Sequence, residues 1–121
     1  MDFTPEKNFR FTKDQRLRKN ADFQKVFDNG KSSSDATLVL YGLPNGLPHT
    51  RVGITVGKKF GPAVARNRYK RRLREAFRLS QHELPPGRDY VLLPRPGAIP
   101  TTRDYAQSLR QLAAKLEKRL A

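Results

Sequence analysis

The sequence predicts a single α+β domain in which helices pack against a mixed β-sheet. Its 121 residues match the size of one ordinary domain. Apolar residues recur at helical spacing in some segments and alternate at strand spacing in others. One long helical segment lies between two strands, an order that requires a crossover connection. The sheet is therefore expected to contain a parallel pair within an otherwise antiparallel arrangement.

The N-terminal part predicts an arm followed by a short helix. Residues 1–15 are polar with isolated aromatic side chains, which is typical of a partly ordered arm, and the domain proper is expected over residues 16–121. A helix is predicted over residues 20–28, with Asn20 as its N-cap and Gly30 just beyond its end. Its apolar positions, at i, i+3 and i+4, are Phe23, Val26 and Phe27.

Two strands are predicted next. Residues 31–35 read as a serine-rich turn, and residues 37–42 alternate their side chains between two faces, with Tyr41 opposite the leucines. Residues 51–57 alternate in the same way. The Pro-Asn-Gly sequence at 44–46 is a turn signal, so these two strands are expected to form a hairpin.

A long helix with two chemically different faces follows, with Gly61 and Pro62 suited to its N-cap and first position. At helical spacing its apolar face comprises Ala65, Tyr69, Leu73, Ala76 and Phe77. The opposite face comprises Asn67, Arg71, Arg74 and Arg78. Arginines one turn apart repel each other, and almost no acid lies near enough to neutralise them. A bound polyanion would offset that repulsion, whereas the alternative is an ordinary solvated helix face.

The C-terminal part predicts a strand and a last helix. The Pro-Pro-Gly sequence at 85–87 ends the long helix. Residues 89–93 are almost continuously apolar, as expected of a strand buried on both faces. After a loop over 94–100, Thr101 or Thr102 can cap a helix with a continuous apolar stripe.

Composition narrows the class of partner. Lys and Arg number 25 against 11 Asp and Glu, so the net charge is +14, and this favours a polyanion, most simply nucleic acid. The absence of cysteine excludes disulfides and thiolate metal sites. No apolar run approaches the length of a membrane span, so a cytoplasmic location is expected. An anionic membrane surface is disfavoured as a partner, because no helix pairs a basic face with an exposed aromatic one.

The candidate functional residues favour binding over catalysis. His49 and His82 are isolated, and no carboxylates are paired at helical spacing, so no catalytic residue and no metal ligand is predicted. Lys58 and Lys59 precede the long helix, whose N-terminal N–H groups could hold a phosphate. Aromatic side chains of the first helix and strand could stack single-stranded bases, with ordinary core packing as the alternative.

Together these motifs resemble the protein subunit of bacterial ribonuclease P over roughly residues 11–113. The resemblance rests on Arg16-Leu17, on Asp22-Phe23-Gln24-Lys25-Val26-Phe27 with Gly30, on the run from Arg51 to Gly61, on Ala65-Arg66-Asn67-Arg68 with Lys70, Arg71, Arg74 and Phe77, on Asp89-Tyr90-Val91, and on Arg95-Pro96. The Arg-Asn-Arg block at its distance from Lys58-Lys59 is the most specific of these motifs.

The resemblance implies both a fold and a division of labour. The fold would be αβββαβα, a two-layer sandwich like a ribosomal small-subunit protein domain, with a left-handed βαβ crossover that the general handedness rule disfavours. An RNA subunit, using Mg²⁺ held mainly by itself and the substrate, would remove the 5′ leader of precursor tRNA. The protein would bind the leader in a cleft between the first helix and the sheet, and would need neither a membrane nor an obligate protein partner.

By position, the resemblance assigns residues to each RNA. The leader would be bound by Phe23, Phe27, Tyr41, Lys58 and Lys59. The RNA subunit would be bound by Arg66, Asn67, Arg68, Lys70, Arg71 and Arg74. Pro94 stands where the family more often has a small residue, and it is expected to interrupt strand pairing.

Two other classes stay open from the residues alone. One is a ribosomal-type structural RNA-binding protein without a role in cleavage. The other is a stand-alone metal-dependent nuclease, which cleavage by RNA-free protein would support.

Overall fold

The computed structural model describes residues 10–97 and 99–120. Seven main elements follow one another in the order αβββαβα, as the resemblance implies. They are α1 (Asn20–Asn29), β1 (Lys31–Ser34), β2 (Leu38–Pro44), β3 (Arg51–Ile54), α2 (Ala63–Ser80), β4 (Arg88–Pro94) and α3 (Thr102–Leu120). Short 3₁₀ turns lie at Lys13–Gln15, Lys58–Phe60 and Gln81–Glu83.

The four strands form one sheet in the order β1-β2-β4-β3. β4 runs parallel to β3 and antiparallel to β2, so the expected parallel pair is present. The predicted hairpin between β2 and β3 is wrong, because β4 lies between them. The chain does turn just after β2, where the Asn45 side chain accepts from the Leu47 N–H and Gly46 has a positive φ of 72°. β4 is central because it is the most apolar strand and can be buried on both faces.

Three local predictions are also corrected. Residues 31–34 form an edge strand rather than a turn, paired with β2 from Lys31 opposite Gly42 to Ser34 opposite Val39. An edge strand needs no apolar side chains where its outer face meets water. β3 ends at Ile54 instead of continuing to residue 57. Pro94 does not interrupt pairing but is the last residue of β4, opposite Leu38, at a strand end where a missing N–H is tolerated.

The helix boundaries differ slightly from the prediction. α2 begins one residue late, with Pro62 as N-cap and Gly61 before it at a φ of 111°. α1 begins at Asn20 itself, after Lys19. Thr101 caps α3 as predicted, since its Oγ1 accepts from the Asp104 N–H and its own N–H donates to the Asp104 carboxylate. Among the described helices, none has the length and apolar character to cross a membrane.

The two faces of the sheet are covered differently. α2 and α3 pack on one face and close the main core, which includes Leu38, Leu40, Val52, Tyr90 and Leu92 from the strands. α1 lies on the other face over a smaller cluster built on Leu17, Val26 and Val91. The sheet and the pair α2 and α3 form a two-layer sandwich. The opposite face of the sheet carries only the short helix α1, so the rest of that face is half covered.

The described part of the arm packs against α2. The Phe11 ring meets the Phe77 ring edge-on, with centroids 5.2 Å apart, and Gln15 donates to the Gln81 side chain at 2.8 Å. Residues 1–9 lie outside the described part of the chain. The domain boundary at residue 16 thus stays a prediction, while residues 10–15 are fixed beside the basic face of α2.

Candidate nucleic-acid interface

The two predicted faces of α2 are confirmed. Tyr69, Leu73, Ala76 and Phe77 are buried in the main core, whereas Ala65 in the first turn is only half-buried. On the opposite side Asn67, Arg71 and Arg74 are exposed, and Arg78 is half-buried. Burial of the apolar stripe fixes the rotation of the helix, and that rotation presents the basic stripe to solvent.

The stripe is neutralised at one end only. Glu75 accepts hydrogen bonds from Arg78, and this pairing lowers the pKa of Glu75 and raises that of Arg78. The expectation that no acid neutralises the stripe is therefore wrong at Arg78. The ion pairs found in residues 10–97 and 99–120 engage other arginines, so Arg71 and Arg74 keep their charges for a partner.

The six residues assigned to the RNA subunit lie on this stripe or directly beside it. Asn67, Arg71 and Arg74 lie on it, Arg66 and Lys70 border one side, and Arg68 borders the other. Arg66 and Lys70 are half-buried and Arg68 is exposed. Neighbouring Arg72 is turned away, and its Nη1 donates to the Pro100 carbonyl at 2.9 Å.

The arm converts the basic stripe into a cleft. A space of about 610 Å³ is lined by Phe11, Arg16, Asn67, Arg71, Arg74, Glu75 and Arg78. The Arg16 guanidinium carbon lies 4.8 Å from the centre of the Phe11 ring, which holds this cation at the rim. Sequence reasoning missed Phe11 and Arg16 as site residues, because the arm has no periodicity that would place it on α2.

The three aromatic residues assigned to the leader come together beside α1. Phe27 meets Tyr41 edge-on at 5.0 Å between centroids, and Phe23 belongs to the same cluster. All three are half-buried. Each ring is thus partly packed in the core and partly exposed to solvent. Both alternatives from the sequence, core packing and a surface that could stack bases, therefore hold in part. Lys58 and Lys59 are exposed on the 3₁₀ turn after β3, outside this cluster.

A second groove connects the aromatic cluster with the basic cleft. Its volume is about 220 Å³, and it is lined by Phe11, Arg16, Leu17, Arg18, Phe23, Val52, Gly53, Ile54 and Arg74. Phe11, Arg16 and Arg74 line both spaces. One surface therefore runs from the aromatic ring of Phe23 to the arginines of α2.

An ion-pair network holds α1 in place over the sheet. Arg51 donates two hydrogen bonds to the buried Asp89, at 2.9 and 2.6 Å, and its other Nη lies 3.8 Å from Asp22 of α1. Asn45 also donates to Asp89, at 2.9 Å. The Asp89 carboxylate raises the pKa of Arg51, which is therefore a permanent cation between the helix and β3.

His49 contacts backbone, and the described acids form no metal-binding group. His49 lies 3.0 Å from the Asp14 carbonyl, a backbone contact. Within residues 10–97 and 99–120, no three His, Asp or Glu side chains gather closely enough to hold a metal ion.

A basic helix face beside half-exposed aromatic rings, on an αβββαβα fold, defines a protein that binds RNA. A sequence model of the family described as Ribonuclease P matches residues 11–119. The chain belongs to the bacterial ribonuclease P protein family.

Individual relatives agree with this assignment. The ribonuclease P protein component of Clostridioides difficile is 38% identical over 109 residues, which cover 88% of this chain and 96% of the relative. The solved structure of the Staphylococcus aureus RNase P protein has a TM-score of 0.73 and 35% identity, with 88% of this chain and 98% of that chain covered. The RNase P protein of Thermotoga maritima has a TM-score of 0.68 and 34% identity, with 88% and 97% covered.

Proposed function

We propose that this chain assists a catalytic RNA subunit in removing the 5′ leader from precursor tRNA, by binding both the RNA subunit and the leader. The observation that carries this proposal is the single surface formed by the two grooves, which joins aromatic rings to unneutralised arginines. Single-stranded RNA is bound by stacking together with backbone charge, whereas folded RNA is bound largely through its phosphates.

The basic stripe of α2 is the proposed RNA-subunit surface. Its exposed members Asn67, Arg71 and Arg74 stand on a rigid helix whose other face is fixed in the core. A helix that is already rigid adds no backbone ordering cost when its arginines bind a phosphate backbone, and only the side chains lose freedom.

The half-covered face beside α1 is the proposed leader site. Phe23, Phe27 and Tyr41 offer ring surface that tolerates many base sequences, as a general processing factor requires. Lys58 and Lys59 lie on the 3₁₀ turn that follows β3, where they would contact the leader backbone.

We assign Mg²⁺ to the RNA subunit and the substrate. The acids of the described residues do not gather into a metal site, and no step of the reaction is assigned to a metal on the protein. The proposed location is the cytoplasm, where tRNA precursors are made, and no protein partner is required by the proposal.

Reconstitution with a bacterial ribonuclease P RNA tests this function. The protein is expected to lower the Mg²⁺ concentration needed for precursor tRNA cleavage, because its charge of +14 screens repulsion between two polyanions. Protein freed of RNA should not cleave the same substrate. Robust cleavage by RNA-free protein would contradict the assignment of catalysis to RNA, and RNA binding without any effect on cleavage would indicate a ribosomal-type structural role.

A further inference from the structure

Position 53 has no side chain at the point where Phe23 rests on the sheet. A Cβ built on Gly53 would lie 2.5 Å from both Cε1 and Cζ of the Phe23 ring, and 3.1 Å from the Cβ of Leu17. Ordinary van der Waals contact begins at 3.4 Å, so alanine and the observed Phe23 ring cannot coexist unless one moves.

The backbone of Gly53 does not itself require glycine. The glycines with positive φ are Gly46, Gly61, Gly87 and Gly97, whereas Gly53 lies within the regular strand β3. Any residue can adopt strand geometry. Close approach of the aromatic ring therefore explains the glycine, and backbone conformation does not.

Register makes Gly53 one end of a row across the sheet. Gly53 pairs with Val91, and Val91 pairs with Tyr41 on its other side. At Tyr41 the Phe27 ring meets another ring, while at Gly53 the Phe23 ring meets bare backbone. Phe23 can thus lie deeper than a side chain at position 53 would allow.

The groove beside Phe23 has the chemistry of a single-stranded RNA site. It is lined by the ring itself, by the Gly53 backbone and by three arginines, Arg16, Arg18 and Arg74. A ring that moves out of its seat would fill this space and separate a stacked base from the cations that hold its phosphates.

We propose that Gly53 is a positioning residue for leader recognition, because the absence of a side chain seats the Phe23 ring at the depth where it stacks a leader base beside these arginines. The inference rests on the proposed function and deepens it. The ligand is single-stranded RNA 5′ to the cleavage site, and Gly53 acts on it only through Phe23.

A double-mutant cycle in the reconstituted holoenzyme tests the proposal. The four proteins are wild type, Gly53→Ala, Phe23→Ala and the double mutant, and the measured quantity is the affinity for precursor tRNA relative to mature tRNA. Loss of one stacked base corresponds to about a five- to hundred-fold change in that ratio. Gly53→Ala is expected to lower the ratio within this range, and to lower it no further when Phe23 is already alanine.

The matched control is Gly57→Ala. A Cβ at Gly57 meets no atom within 4 Å and the residue has a φ of −76°, so this substitution should leave the ratio unchanged. Gly53→Ala that leaves the ratio within about two-fold of wild type, or lowers it equally in both backgrounds, overturns the inference.

Thermal melting separates positioning from misfolding. If Gly53→Ala melts early, it should lower the melting temperature less in the Phe23→Ala background than in wild type, because removal of the Phe23 ring makes room for the new methyl group. An equal loss of melting temperature in both backgrounds would place the conflict elsewhere and overturn the inference. If Phe23→Ala alone leaves the ratio unchanged, the leader site of the proposed function is what fails.

Discussion

Replacing Arg74 by alanine should weaken binding to the RNA subunit without weakening the fold. Arg74 is exposed on α2 and lines both grooves. Arg72, two residues earlier, has the same chemistry but donates to the Pro100 carbonyl at 2.9 Å. The two substitutions remove the same charge from the same helix, and only one of them removes a charge that is free to meet a phosphate.

The magnitude follows from counterion release. Each phosphate contact contributes about 0.7 to 0.9 to the slope of log affinity against log salt concentration. Arg74→Ala should lower that slope by this amount, so its affinity loss should shrink by about three-fold between 50 and 200 mM salt. Arg72→Ala should keep the wild-type slope and instead lose about 1 to 2 kcal/mol of unfolding free energy with its hydrogen bond.

The assay is a titration of the RNA subunit at four or more salt concentrations, paired with urea unfolding of each free protein. Equal slopes for Arg74→Ala and wild type, or the same reduction in both mutants, would refute the reasoning. Early melting of Arg74→Ala with unchanged RNA affinity would show that this side chain supports the fold.

Three further outcomes are expected. Tyr41→Ala should weaken holoenzyme affinity for precursor tRNA by about five- to hundred-fold, with little change for mature tRNA. Tyr41→Phe keeps the stacking ring and should retain the affinity. Equal losses on both substrates would contradict this prediction. Burial raises the pKa of Tyr90 to about 12, so its neutral form stabilises the fold below pH 10. As pH rises to 12, the free energy of unfolding should fall by about 2 to 3 kcal/mol. Tyr90→Phe should lack this loss when unfolding is measured across that pH range. Asp89→Asn should cost about 3 kcal/mol in urea unfolding because it leaves the Arg51 cation without its buried partner, and a loss below about 0.5 kcal/mol would show that the pair contributes little.

Periodic features were predictable from the sequence, and pairing between distant segments was not. The rotation of α2 follows from its apolar spacing, and the central position of β4 fits its apolar run. The order of strands depends instead on which edges pair, and the turn at 44–46 is compatible with a hairpin or with a return path around β4. Serine-rich β1 carries no strand pattern, because its partner β2 supplies the pairing and α3 the cover.

The site was predictable where one element carries it. The stripe of Arg71 and Arg74 is visible as a spacing within a single helix. Phe11 and Arg16 join it only because the arm folds back on α2, a contact set by the fit of one ring against Phe77. The role of Gly53 depends on how closely Phe23 approaches it across two elements, which no local pattern encodes.

The charges of this protein divide into those that hold the fold and those that remain available to RNA. Most carboxylates of the described residues are engaged by another part of the chain: Asp22 and Asp89 by Arg51, Asp28 by Gln24, Asp35 by the N–H groups of Thr37 and Leu38, Glu75 by Arg78, Glu83 by Arg110, Asp104 by Thr101, and Glu117 by Arg88. Glu75 neutralises Arg78 within the cleft itself, whereas the other engaged acids are kept from neutralising the cations of the grooves.

The same division explains how a net charge of +14 is compatible with a stable domain. Some of these acids connect different elements, as Glu117 of α3 does with Arg88 of β4, where the pair is partly shielded from water. Arg71 and Arg74 stand on the exposed stripe of α2, where water screens their repulsion until a polyanion replaces the water. Substitutions in the stripe should therefore change RNA affinity with little effect on stability, and substitutions of the engaged acids should do the reverse.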